Sequence, residues 1–345
     1  SVDTFKITNL NAEMTMFTTE IDRAKFKKYD QFKMHSALLQ STPIYKGSTE
    51  EYESQEFQPP TNLPLFLSKI SPAVRSQIGG PDGFYFGDAS IALHGQLLLK
   101  QNLSILAVGS IGVANNFDRL KLLSDSVLPH VRSDIVKYLK QSTKGHITRL
   151  QANYFINPRD SIFFKFTGGI LEEMFAGIGS EFLWRPFAKN YAVGVEAWRV
   201  AQRDYDMLFS LRDYKTTTGF INLYYKEPRS KVRIKVTGGK FLAGDSGIHL
   251  DLNRRFKSGL TVGVFAAKTD ISKLEFGEGS FDKGFYFHLP IEVFYSKYTK
   301  GVAGFGLHPL TRDGAAILVH AHHLYGVTDQ SSSINLLRDW DDIYD

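Results

Sequence analysis

One segment limits the possible folds more than any other. From Tyr85 to Leu99, every second residue is apolar or glycine: Tyr85, Gly87, Ala89, Ile91, Leu93, Gly95, Leu97 and Leu99. Asp88, Ser90, His94 and Gln96 fall between them, and Lys100 follows. Strand side chains alternate between two faces, so this spacing specifies a strand with one apolar face and excludes a helix. The strand is about 15 residues long, against roughly 5–6 for an ordinary one. A strand crossing a bilayer needs about 9–11 residues in the membrane and is free to extend beyond it.

The pattern recurs along the chain. Thr148, Leu150, Ala152, Tyr154 and Ile156 alternate with Arg149, Gln151 and Asn153. Ile162, Phe164, Phe166, Gly168 and Ile170 alternate with Phe163, Lys165 and Thr167. Val232, Ile234 and Val236 alternate with Arg233 and Lys235, and Ile248, Leu250 and Leu252 with His249 and Asp251. Phe285, Phe287, Leu289 and Ile291 do so with Tyr286, His288 and Glu292. A soluble sandwich alternates too, so one strand alone leaves both architectures open. Uniform length and aromatic-rich apolar faces favour a barrel wall.

Composition narrows the field. With 43% hydrophobic residues the chain has ample apolar surface to fold, which excludes disorder. No apolar run reaches the roughly 18–20 residues of a membrane helix. The absence of cysteine excludes disulfides and thiolate zinc sites. A net charge of +5 is compatible with acidic partners without requiring them. Basic residues alternate through strands and form no patch with stacking aromatics, so no nucleic-acid partner is expected.

Connections complete the fold expectation. One set of turns is short and polar: Lys100–Asn102, Asn157–Asp160, Lys226–Arg229 and Phe256–Gly259. The opposite set is longer: Asn116–Gly145, Arg203–Lys215 and Asp270–Lys283. Such asymmetry suits an outer-membrane barrel with its short turns in the periplasm. The expected fold is therefore all-β, an antiparallel outer-membrane β-barrel of about 14 strands over residues 63–328. Residues 1–62 form a small periplasmic β-β-α element and linker, with strands at Phe5–Asn9 and Met14–Thr18 and a helix from about Glu20 to Lys33. Residues 329–345 are a C-terminal tail. A second helical patch between Asp118 and Gln141, broken at Pro129, suits a loop that caps or plugs the barrel.

Six blocks resemble a known family: Leu128–Asp134, Met174–Gly179, Gln202–Asp206, Leu211–Tyr214, Leu242–Asp245 and Phe276–Gly284. In this order they are similar to the C-terminal barrel portion of the YjbH/GfcD/WbfB family of outer-membrane exopolysaccharide and capsule proteins. The likeness spans about Asp3 to Trp340. It implies an outer-membrane location in a Gram-negative envelope and a part in exopolysaccharide or capsule secretion or assembly. Implied partners are the polymer, periplasmic or outer-membrane secretion proteins, and outer-membrane lipid. Family members are usually longer, with another barrel upstream.

Candidate site residues fall into two groups. Lys165, Arg185, Lys231, Arg233, Lys235 and Arg255 lie opposite the apolar face, together with Glu181, Glu196, Asp251 and Glu292. A charge facing lipid at mid-depth costs roughly 2–4 kcal/mol, so these line the interior. They brace the wall by cross-strand salt bridges, line a path for an anionic glycan, or receive a plug of another chain. Lys231, Arg233 and Lys235 form a like-charged row, which needs carboxylates opposite or an anionic guest. The second group, Arg203, Asp204, Arg212, Asp213, Glu278 and Asp282, belongs to loops that either recognise polysaccharide or simply fold over the barrel mouth.

Metal and catalytic chemistry depend on the acidic and histidine clusters. The carboxylates of Glu275–Gly284 suit a hard cation but lack EF-hand spacing. His320 and His322 share one face of an expected strand, with His323 opposite, a chelating pair only if other ligands converge. No Gly-x-Ser-x-Gly elbow is present. No catalytic residue, metal or cofactor is assigned. The function expected is non-enzymatic, with an outer-membrane barrel enzyme acting on glycan or lipid and a scaffold for periplasmic partners as the alternatives.

Overall fold

The computed structural model describes residues 3–31, 42, 44–45, 62–78, 85–119, 126–256, 258–272, 281–291, 302–307, 313–329, 331–332 and 335. The chain is built from antiparallel strands in two sheets. The first is small, in the order β1 (Thr4–Asn11), β2 (Met14–Asp22), β3 (Ile44–Tyr45). A helix, Arg23–Gln31, follows β2, and the Asp22 carboxylate accepts the Lys25 N–H at 2.8 Å to cap it.

Among the described residues the second sheet has thirteen strands in strict sequence order. They are β4 (Leu65–Ile78), β5 (Tyr85–Lys100), β6 (Leu103–Asn115), β7 (His146–Arg159), β8 (Ile162–Ile170), β9 (Phe175–Trp184) and β10 (Tyr191–Arg203). The sheet continues with β11 (Leu211–Lys226), β12 (Val232–Lys240), β13 (Ser246–Arg255), β14 (Thr261–Thr269), β15 (Asp282–Pro290) and β16 (Val302–Leu307). Each strand pairs antiparallel with its neighbours in sequence. Among the described residues no pairing joins β4 to β16.

Alternation sorts the two faces as the sequence requires. Phe163, Lys165 and Thr167 are buried, while Phe166 between them is exposed. Ile91 pairs with Ile111, and Val195 with Ile221, all four on the uncovered face. That outer face is apolar over its whole width: Phe66, Ile70, Val74, Leu93, Ile178, Ile248, Val264 and Phe287 are all exposed. Among the described residues, no helix is long and apolar enough to cross a membrane, which leaves crossing by strands open.

Two differences from the sequence expectation matter. Among the described residues the sheet has thirteen strands, where about 14 were expected. The apolar run from Ala315 into His320–His322, read as a wall strand, is irregular backbone lying on the inner face of the sheet. An apolar stretch satisfies a core as readily as a wall, and here its backbone bonds go to loops and inward side chains. The turn asymmetry is also partial, because Leu171–Met174 and Phe241–Asp245 are tight connections on the long-loop end.

Two apolar clusters bracket the inner face. At the long-loop end, Val131 and Tyr138 pack with Leu171, Phe175, Trp198, Met207, Leu242 and Leu318. At the short-turn end, Met14, Met16 and Phe17 of the N-terminal hairpin pack with Phe155, Phe163, Leu183 and Leu324. The expected loop helix is present as Ile135–Leu139 and closes over the first cluster.

Candidate functional site: a charged inner face filled by the C-terminal segment

Residues 313–329 run along the inner face from the long-loop end to the short-turn end. Side chains from six successive strands, β7 to β12, reach this segment or its immediate neighbours. The contacts form three layers.

In the first, the Asp313 carboxylate accepts the backbone N–H groups of Arg132 and Ser133 at 2.7 and 2.9 Å and the Ser133 hydroxyl at 2.7 Å. Arg132 donates to the Ile317 carbonyl and, through its other guanidinium nitrogen, to Glu172, both at 2.7 Å. Glu172 in turn accepts the Val319 N–H at 3.1 Å. The Asp245 carboxylate accepts the Ala315 N–H at 2.8 Å, and the Leu242 N–H donates to the Ala316 carbonyl at 3.0 Å. Gly244 has φ +95°, which favours glycine in this tight connection.

The middle layer is the most buried. Lys165 and Glu181 are direct cross-strand partners in the β8–β9 register, and their side chains meet at 2.5 Å. Lys165 Nζ also donates to the carbonyls of Ala321 and His322, both at 3.0 Å. Glu196, next to Glu181 in the β9–β10 register, accepts from Trp198 Nε1 at 3.0 Å and Asn222 Nδ2 at 2.9 Å. His320 packs against Trp198 with ring centroids 4.2 Å apart and the planes tilted by 35°. A Cβ on Gly179 would stand 2.2 Å from the indole, so glycine there is what lets Trp198 lie across β9.

The third layer anchors the far end. Asp329 pairs with Arg185 at 2.6 Å and with Arg233 at 3.0 Å. Tyr325 stacks on Tyr224 with centroids 3.9 Å apart and rings nearly parallel. Asn11 of the hairpin donates to the Val327 carbonyl at 3.2 Å.

The structure therefore sorts the inner-face candidates. Lys165, Glu181, Arg185 and Arg233 meet on the C-terminal segment. Lys235 lies over the Tyr224 ring at 5.6 Å and opposite Asp251 in register. Asp251 accepts from the Tyr286 hydroxyl at 2.9 Å. Arg255 stands at the exposed end of β13. Lys231 is not part of the row: it has φ 62° in the turn before β12 and its side chain is exposed, so Arg233 and Lys235 stand without it. The anion facing Arg233 is the chain's own Asp329. Glu292 lies outside the described residues.

The loop candidates behave mostly as loop-folding groups. Arg203 is fully buried and its guanidinium donates to the carbonyls of Glu172, Glu173, Met207 and Leu208. Asp204 accepts the Tyr205 N–H at 2.8 Å, and Arg212 lies 4.2 Å over the Tyr205 ring. Tyr205 donates to Asp134 at 2.7 Å, and Lys137 pairs with Asp134 at 2.8 Å. Burial alone would raise the Asp134 carboxyl, but hydrogen bonds from Lys137 and Tyr205 outweigh it and hold the group below its ordinary 3.8. Asp213 is exposed, Asp282 is buried and accepts the Lys283 N–H at 2.9 Å, and Glu278 lies outside the described residues.

Sequence reasoning missed Asp313, Glu172 and Asp329, whose partners Arg132, Ser133, Arg185 and Arg233 stand tens to more than a hundred positions away in sequence. It also paired the wrong histidines. His320 and His323 come together, with ring centroids 3.7 Å apart, because the backbone there is not a strand. Period two does not apply to it.

The molecule is thus an all-β protein whose antiparallel meander holds its own C-terminal segment against a charged inner face. The chain belongs to the YjbH exopolysaccharide biosynthesis family. The family model described as "Exopolysaccharide biosynthesis protein YbjH" matches residues 1–330. The "Uncharacterized lipoprotein YjbH" of Escherichia coli (strain K12) is 34% identical over 348 residues, covering 96% of this chain. The chain spans about half of that relative's length, 48%. Four of the six blocks that carried the resemblance, Leu128–Asp134, Met174–Gly179, Gln202–Asp206 and Leu242–Asp245, build the socket of the C-terminal segment or the wall beneath it.

Proposed function

We propose that this chain is an outer-membrane β-barrel portion acting without catalysis in exopolysaccharide secretion or assembly, as a docking site with its interior filled by residues 313–329. The observation that carries the reading is the division of the thirteen-stranded meander into an apolar, uncovered outer face and a charged, covered inner one. In water that outer face is an aggregation liability, whereas in a bilayer it is a lipid contact. The family membership supports the polysaccharide link. Three buried anchoring layers on the inner face favour a resident plug over an open path.

Spin labels test the membrane part. Labels at Ile91, Leu93, Phe164, Phe166, Ile234, Phe287 and Leu289 in reconstituted protein are expected to be accessible to oxygen and shielded from polar quenchers. Equal access to a water-soluble quencher at all seven sites removes the barrel reading.

A cross-link tests the resident plug. The Leu242–Ala316 backbone hydrogen bond places these residues side by side in a chain without cysteine. Leu242→Cys with Ala316→Cys, oxidised, is expected to leave surface polysaccharide at the level of the reduced protein. Loss on oxidation with recovery on reduction instead means that the segment must leave and that the interior is a path.

A further inference from the structure

The middle layer holds an arrangement that neither the wall nor the plug requires. Glu181 on β9, Glu196 on β10, and His320 and His323 of the C-terminal segment each offer a ligand atom, and the four atoms lie within 4.8 Å of one another. We propose that these four side chains form a binding site for one divalent first-row metal ion of the zinc type, pinning the C-terminal segment to the sheet. The ion set in this pocket links three separate stretches of chain.

The spacing fits a small metal. With bonds of about 2.0–2.1 Å, ligand atoms on a tetrahedron stand roughly 3.3–3.4 Å apart. His320 Nε2 lies 3.4 Å from Glu196 Oε2, and His323 Nδ1 lies 3.6 Å from Glu181 Oε1. These two pairs already stand near that spacing, and the widest separation in the set, within 4.8 Å, closes by up to about 1.4 Å on binding. Two imidazoles with two carboxylates suit zinc and its neighbours and disfavour magnesium and calcium, which prefer all-oxygen shells.

Lys165 does not fill the same place. Its three N–H groups have the other Glu181 oxygen, Oε2, and the carbonyls of Ala321 and His322 to donate to, so the ammonium, 3.2 Å from His320 Nδ1, needs no acceptor on that ring. The proposed ligand atoms are Glu181 Oε1 and His320 Nε2, on the opposite edges. With a metal on Nε2, the His320 Nδ1–H has the Ala321 carbonyl at 3.3 Å to donate to, the outer contact that fixes a ligating imidazole. The bonds from Trp198 and Asn222 to Glu196, and the Leu324 N–H donating to Glu181 Oε1 at 3.3 Å, orient both carboxylates beforehand. Four protein ligands close the shell and leave no position for substrate, which makes this a structural metal.

The test uses the whole chain in detergent, stripped with chelator and titrated with Co2+ or Zn2+ alone, with Mg2+ and Ca2+ as controls. One Co2+ per chain is expected, with the intense visible absorption of a four-coordinate ion, displaced by Zn2+ and untouched by Mg2+ or Ca2+. His323 is partly exposed, so His323→Ala keeps the fold and is expected to weaken binding at least about 100-fold, since even outer contacts are worth 10–100-fold. Glu196→Gln is the second variant, with the same loss expected. The proposal is overturned if the wild type takes up no stoichiometric Co2+, or if both variants bind as the wild type does. None of these outcomes depends on a role in polysaccharide handling.

Discussion

Lys165→Met is expected to lower the folding stability of the chain by about 3–5 kcal/mol, the loss usual when one partner of a buried ion pair is removed. Lys165 is fully buried and sits 2.5 Å from Glu181. It also supplies the donors for two carbonyls of the C-terminal segment. Methionine fills most of the volume but leaves Glu181 charged in a buried layer and two carbonyls without their donor. Adding Glu181→Gln to Lys165→Met is expected to recover the part of the loss that comes from the uncompensated charge, while the two carbonyls still lack their donor. Unfolding in denaturant, in a fixed detergent, measures both variants. A single variant as stable as the wild type would show that the middle layer does not hold the segment in place.

Arg203→Lys is expected to be nearly as damaging, at about 3 kcal/mol, although it keeps the charge. The planar guanidinium reaches four carbonyls from two directions, those of Glu172 and Glu173 before β9 and of Met207 and Leu208 after β10. An ammonium has three donors on one point and cannot span them. The Tyr138 hydroxyl donates to the Arg203 carbonyl at 2.5 Å, so the loop helix at Ile135–Leu139 loosens with it. Limited proteolysis is the direct readout, with faster cleavage in 126–145 and 204–210 than in the wild type. If cleavage there is unchanged and only polymer handling suffers, Arg203 is a recognition residue and not a loop-folding one.

The sequence by itself determined the wall. Period-two alternation at Tyr85–Leu99 and at Ile162–Ile170 specifies long antiparallel strands and which side chains share a face, because strand geometry is local and repeats every two residues. Polar residues such as Lys165, Glu181 and Glu196 were legible as inward for the same reason. The N-terminal hairpin and helix were legible too, from short alternation followed by a basic run.

Tertiary structure alone decided what those inward charges face. The register that sets Lys165 against Glu181 depends on how β8 and β9 pair, and a slip by one residue reverses every side chain. Lys231 left the row because a turn, not a strand, holds its backbone. Ala315–Val319 looks like a strand in composition, since an apolar run does not state whether it is wall or core. His320 meets His323, and Asp329 meets Arg185 and Arg233, through folding of a segment with no period to read. Contacts of that segment join residues up to 316 positions apart, as with Asn11 and Val327, and no local rule encodes such a pairing. Local chemistry fixes which face a side chain takes; only the closing of the chain on itself fixes its partner.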